Sequence, residues 1–141
     1  MMRLSTKGRY GTRIMTYLAD HYGQGFILLK DIAKSEDISE GYLEQLIPLL
    51  KAGGLLLSIR GAKGGYMLAK DPSEITVKDV LQTMEGSLAP VACVDNPTIC
   101  NRVDDCSTYG LWSELKANVV ATLEAKTLAD LVQTKKKKRK K

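Results

Sequence analysis

The spacing of apolar residues changes period several times along the chain, and each change marks an element. Tyr10, Ile14, Tyr17 and Leu18 recur at i, i+4, i+7 and i+8, which predicts a helix over about Thr6–His21, ended by Gly23 and Gly25. Leu29, Ile32 and Ala33 predict a short second helix over Leu29–Lys34, and "SEDIS" then makes a tight turn. Ser39 is the natural N-cap of a third helix, whose buried stripe is Leu43, Leu46, Ile47 and Leu50 and whose stop is Gly53-Gly54. Pro48 falls inside that helix. Its ring removes the hydrogen bond to the Glu44 carbonyl at a cost of roughly 3 kcal/mol, so a bend or irregular turn is expected there.

From Leu55 to Lys70 the period shortens. Two apolar runs flank Gly61-Ala62-Lys63-Gly64-Gly65, the pattern of a β-hairpin with a glycine-rich basic tip. After the break at Asp71-Pro72-Ser73, Thr76 and Asp79 form an approximate capping box for a fourth helix, which buries Val77, Val80, Leu81 and Met84. A long helix follows over about Tyr109–Ala125, striped by Trp112, Leu115, Val119 and Leu123. Thr127 and Asp130 cap a last short helix. The expected class is mostly α with a small β-hairpin, a winged helix-turn-helix plus a long dimerisation helix. The 141 residues are read as one domain over 1–134, with a DNA-binding part at 1–84, a loop at 85–107 and dimerisation helices at 108–134.

Charge sharpens this outline. The net charge of +5 conceals a split: residues 1–70 sum to +4 and residues 71–134 to −6, while "KKKKRKK" at 135–141 adds seven positive charges. A basic first half points to a polyanion, and an acidic second half confines that partner to one face. The 135–141 tail is expected to be disordered and self-repelling. The amino terminus lacks the apolar core of a signal peptide, and no run nears the roughly 20 apolar residues of a membrane helix, so the chain is expected in the cytoplasm without a membrane partner.

Helix, short helix, turn, helix and hairpin follow one another in the order of a winged helix-turn-helix. With its stripe spent on the core, the third helix turns Ser39, Glu40, Gly41, Tyr42, Glu44 and Gln45 outward near its amino end, the end that enters a major groove. Arg60 and Lys63 flank the hairpin tip, suited to a phosphate or a narrow minor groove, and Lys7, Arg9 and Arg13 on the first helix suit backbone phosphates. "GAKGG" lacks the G-x-x-x-x-G-K-[ST] pattern of a nucleotide-binding loop. The sole histidine, His21, has no nucleophile beside it, so an enzyme is not expected.

All three cysteines, Cys93, Cys100 and Cys106, fall in one fourteen-residue window as C-x6-C-x5-C. Zinc knuckles use closer pairs, and a reducing compartment disfavours a disulfide. The looser spacing on a polar loop suits an iron–sulfur cluster, whose bridging sulfides widen the ligand footprint, with thiol redox sensing as the alternative.

"MRLSTKGRYG" at the start, "ISEGYLEQL" in the third helix, "SIRGAKGGYMLAKD" in the hairpin and three cysteines before "LW" resemble the Rrf-type transcription regulators, above all the branch that regulates iron–sulfur cluster assembly. The resemblance covers residues 2 to about 133. It implies a homodimer on a double-stranded DNA operator, read by Ser39, Tyr42, Glu44, Gln45 and Arg60. It also implies a [2Fe–2S] cluster on Cys93, Cys100 and Cys106, supplied by the iron–sulfur assembly machinery. Two positions depart from that branch: the first cysteine interval is one residue longer, and Tyr109 stands where it has a histidine. The fourth ligand stays open among Tyr109, Asp95, Asp104, Asp105 and the partner subunit. Two rivals remain, a nitric-oxide- or redox-sensing repressor of the same family and a small iron–sulfur redox protein without DNA function.

Overall fold

The computed structural model describes residues 3–61 and 65–139. Helix α1 (Thr6–Asp20) is its axis, packed on several sides by elements of the amino-terminal half and by the last helix. Ser5 caps α1, accepting from the Gly8 N–H at 3.1 Å. The face carrying Ile14, Met15 and Leu18 is fully buried. Around it lie α2 (Leu29–Glu36), α3 (Glu40–Ala52), the antiparallel pair β1 (Leu56–Ile59) and β2 (Gly65–Leu68), and α4 (Val77–Glu85). One hydrophobic core, from Ile14 to Val132, joins them.

Two glycines let α4 come close to α1. A Cβ on Gly11 would lie 2.9 Å from the Met84 Cγ, and one on Gly8 would overlap the Glu85 carboxylate. That carboxylate accepts from the Ser5 N–H at 3.0 Å and from the Ser5 hydroxyl, which puts an anion at the positive end of α1.

The second helix continues two residues past its expected end, and Asp37 then turns the chain in a left-handed conformation (φ 53°). Helix α3 runs unbroken from Glu40 to Ala52 with Pro48 inside it, so the irregular turn expected there is not formed. Pro48 lies on the exposed side of the helix, where water can reach the Glu44 carbonyl that lost its donor. The hairpin has a third participant: Ile27 exchanges two 2.8 Å backbone hydrogen bonds with Tyr66. Gly65 is required at that junction, because a Cβ would overlap the Ile27 carbonyl.

The acidic half departs from α4 and returns beside it. The capping box of Thr76 and Asp79 is complete. Within the loop expected at 85–107 lie a one-turn helix α5 (Ala92–Asp95) and two 3-10 turns, Pro97–Ile99 and Val103–Asp105. Helix α6 (Tyr109–Glu124) follows. Helix α7 (Leu128–Arg139) starts with the reciprocal hydrogen bonds of Thr127 and Asp130, and its start is tied to that of α4 by a Thr76–Thr127 bridge. It buries Leu128 and Val132. It is not short: it runs through Lys135–Arg139, so this part of the expected disordered tail is helical. Cations in its last turn complement the helix dipole.

The α1–α4 contact tests directly. Replacing a mid-helix glycine usually stabilises by roughly 0.5–1 kcal/mol. Gly11→Leu is instead expected to destabilise by about 1–3 kcal/mol through overpacking against Met84, read as a lower urea midpoint at unchanged m-value.

Candidate nucleic-acid interface and cysteine loop

The amino end of α3 carries four of the expected DNA-reading residues. Ser39 is exposed and caps the helix by accepting from the Tyr42 N–H at 3.1 Å, which leaves its own O–H free to donate outward. Glu44 and Gln45 are exposed on the face opposite the buried Leu43, Leu46, Ile47 and Leu50. Arg60 is exposed at the end of β1, on the approach to the hairpin tip, and Lys63 lies outside the described residues.

Tyr42 is held differently from its neighbours. It is half-buried, and its ring meets that of Tyr10 edge to face, with centroids 5.8 Å apart at 82°. Arg13 stacks over Tyr10, its guanidinium carbon 5.1 Å from the ring centre. The same guanidinium pairs with the Glu36 carboxylate at 3.4 Å and donates to the Glu36 backbone carbonyl. Sequence alone assigns Arg13 to phosphate. The structure also ties Arg13 to the last residue of α2, with its side chain still 45% exposed, and Lys7 and Arg9 are exposed on α1. Tyr10, Arg13 and Glu36 thereby link α1, α2 and α3 beneath the recognition surface. The apolar spacing of Tyr10 marks it only as core, and nothing local in the sequence pairs Arg13 with Glu36.

His21 packs against α1. It is half-buried, with its ring 4.3 Å from that of Tyr17 and its Nδ1 2.9 Å from the Tyr17 carbonyl.

The cysteine window connects α4 to α6. Cys93 and Cys100 are half-buried and Cys106 is exposed, and all three are free thiols. Three thiols on one loop make a suitable donor set for an iron–sulfur group. Among the described residues, no three Cys, His, Asp or Glu side chains are grouped so as to hold a metal ion. Asp95, one of the candidates for fourth ligand, is engaged elsewhere. It accepts from the Ser87 hydroxyl and pairs with Lys116 of α6 at 2.9 Å, and these contacts hold its carboxyl below the usual carboxylate range. Asp104 and Asp105 are exposed and Tyr109 is half-buried at the start of α6. The Thr108 hydroxyl, 3.3 Å from the Cys106 sulfur, and then the Thr108 backbone hold that thiol below its ordinary value.

Helix α6 buries no residue at all, although its stripe of Trp112, Leu115, Val119 and Leu123 is apolar. These four side chains are half-covered, and Leu111 is 54% exposed. Leu115, Val119 and Leu123 line an apolar groove of about 390 Å³ together with Leu4, Leu81 and Leu88.

Comparison with known proteins places this architecture. The Rrf2 family model, described as "Iron-dependent Transcriptional regulator", matches residues 4–134. The chain is 42% identical over 130 residues to the HTH-type transcriptional regulator CymR of Bacillus subtilis, a match that covers 92% of this chain and 89% of that one. It is 40% identical over 131 residues to the HTH-type transcriptional regulator IscR of Serratia proteamaculans, covering 93% and 79%. The solved structure of CymR, the global cysteine regulator of B. subtilis, superposes with a TM-score of 0.78 at 40% identity, over 95% of this chain and 98% of that chain.

The Asp95 contacts make a local prediction. Asp95→Asn should speed amide hydrogen exchange across residues 87–95 while leaving α1 and α4 as protected as before. Unchanged exchange would mean that Ser87 and Lys116 do not hold the loop.

Proposed function

The chain belongs to the Rrf2 family of transcriptional regulators, and from that premise we propose that it binds operator DNA as a homodimer under the control of its three cysteines. Its relatives are named transcriptional regulators, which are not enzymes.

The observation that carries the DNA reading is the division of labour on α3. One face is spent wholly on the core, and the other offers Ser39, Glu44 and Gln45 to solvent at the helix end that fits a major groove. Gln45 can pair with adenine and Glu44 can accept from cytosine N4. Glu44 also repels phosphate, so it discriminates between sites more than it adds affinity. Arg60 extends contact to the backbone or the minor groove. The dimer reading rests on α6. A 16-residue helix with an apolar stripe and no buried residue is unfinished in one protomer, and a symmetric copy covers that surface.

For the sensing element, an iron–sulfur cluster of the [2Fe–2S] kind on Cys93, Cys100 and Cys106 is supported by the donor chemistry and by the similarity to IscR. Such a group supplies electron exchange and reactivity toward oxygen or nitric oxide. The chain's own part is mechanical: gathering three separated thiols reorders residues 93–106, whose Asp95 is fastened to α6 through Lys116. Loop order and dimer geometry are thereby linked. No relative's name supports an iron–sulfur assembly protein as donor, and that partner is no part of this reading. A second reading, direct thiol sensing, is favoured by the exposed Cys106 with its lowered pKa.

Two experiments separate these claims. Anaerobically purified protein should show the visible absorption of a [2Fe–2S] centre, and Cys→Ala at any of the three positions should remove it. A colourless, iron-free protein whose DNA affinity responds to peroxide through Cys106 would instead establish the thiol reading. On DNA, Arg60→Ala should weaken binding to all sequences alike and reduce its salt dependence, whereas Glu44→Ala should relax sequence choice at equal or higher affinity. A uniform loss for Glu44→Ala would remove its role in discrimination.

A further inference from the structure

The lysine-rich end of α7 is fastened at a definite place on the DNA-binding part of the chain. Asp20, the last residue of α1, has a side chain only 8% exposed and pairs with two residues one helical turn apart on α7, Lys135 at 3.6 Å and Arg139 at 2.8 Å. Lys135 also lies 5.7 Å from the centre of the Tyr17 ring. Both arginine and lysine act to hold the Asp20 carboxyl below its ordinary range, against the opposing effect of burial. Further back along the helix, Val132 is anchored in the core. With Lys135 and Arg139 turned toward α1, the three residues between them, Lys136, Lys137 and Lys138, are exposed.

The place where they emerge matters. Lys138 shares a shallow groove with Arg13 of α1 and Glu36 of α2. Glu36 is the last residue of α2 and lies three positions before Ser39, the N-cap of the recognition helix. Lys138 therefore brings the basic end of α7 beside the end of α2, just before the turn that leads into α3. The two acidic side chains bordering it are already occupied, Asp20 by Lys135 and Arg139 and Glu36 by Arg13. That leaves exposed positive charge near the turn between α2 and α3. Asp37 and Glu40, exposed in and just after that turn, offset part of it.

We propose that Lys136, Lys137 and Lys138 form a second DNA-contacting element, a clamp on the phosphates flanking the site read by α3, held in position by the Asp20 anchor. This rests on the DNA-binding reading above and adds to it a sequence-independent component located on α7. Each phosphate neutralised by a lysine releases condensed counterion, so its signature is a salt slope and not a change in sequence preference.

The test measures binding of the full chain to a random-sequence duplex by fluorescence anisotropy over a range of KCl concentrations. The triple variant Lys136→Gln, Lys137→Gln, Lys138→Gln alters exposed positions only and keeps good helix formers, so its fold can be verified by circular dichroism. Its slope of log affinity against log salt should be shallower by about 0.9 for each phosphate no longer neutralised, hence by roughly 2–3 for each protomer on the duplex and about 5 for the homodimer. Asp20→Asn, which loosens the anchor while keeping every lysine, should shift the slope in the same direction by less. A triple variant with the wild-type slope overturns the clamp. A wild-type slope for Asp20→Asn, with the triple variant reduced, overturns the anchoring. Loss of binding to vesicles containing phosphatidylserine with the DNA slope unchanged assigns the lysines to a membrane surface and likewise overturns it. Should the wild-type protein bind no DNA, random or selected, the failure lies with the regulator reading itself.

Discussion

Close approach at α1 is the constraint on which the remaining structure depends. Gly8 and Gly11 remove two side chains from one face of that helix, and α4 fills the space with Met84 and Glu85. Glu85 then satisfies the amino end of α1 through Ser5. From the other faces of the same helix hang α2, α3, β2 and α7. The angle of the recognition helix and the seat of the basic helix are thus both set against one 15-residue cylinder. A wider α1–α4 spacing would be felt in the core that carries Leu43 and Leu46, which fixes which face of α3 remains for DNA.

Much of this is legible in the residues. Period 3.6 stripes locate α1, α3 and α4, and capping residues set their starts, because helix ends leave backbone donors that short polar side chains satisfy locally. The hairpin is legible from its glycines. What the sequence conceals is non-local. Ile27 looks like the approach to a helix but pairs with Tyr66, a partner 39 positions away that no local pattern specifies. The charge of Arg13 is visible in the chain, but its pairing with Glu36, 23 positions on, is not. Lys135–Arg139 look disordered by composition alone, and their pairing with Asp20 at the end of α1 is not visible in that composition.

For the sites, residue type is easier to read than arrangement. The polarity of Ser39, Glu44 and Gln45 follows directly from the stripe opposite them. The three cysteines are conspicuous as a group, but spacing says nothing of how a loop orients its thiols, and among the described residues they are not grouped so as to hold a metal ion. Asp95 shows the same difficulty. It is a ligand by type and neighbourhood, yet its oxygens are already used by Ser87 and Lys116, contacts that depend on where α6 passes.

The bridge between Thr76 and Thr127 has a consequence for how such a chain can change over time. Fifty residues, 77–126, leave and return through one fastened pair of backbone positions, where Val77 donates to the Lys126 carbonyl and Leu128 to that of Ile75. Because the exits are pinned together, lengthening or rewriting the segment that holds the cysteines costs little closure entropy, roughly 0.6 kcal/mol per doubling of loop length. Changes confined to residues 87–108, between α4 and α6, also leave α4 packed on α1. The fold is in this sense a socket: its DNA-facing half can be inherited unchanged while mutation explores what the cysteine segment detects.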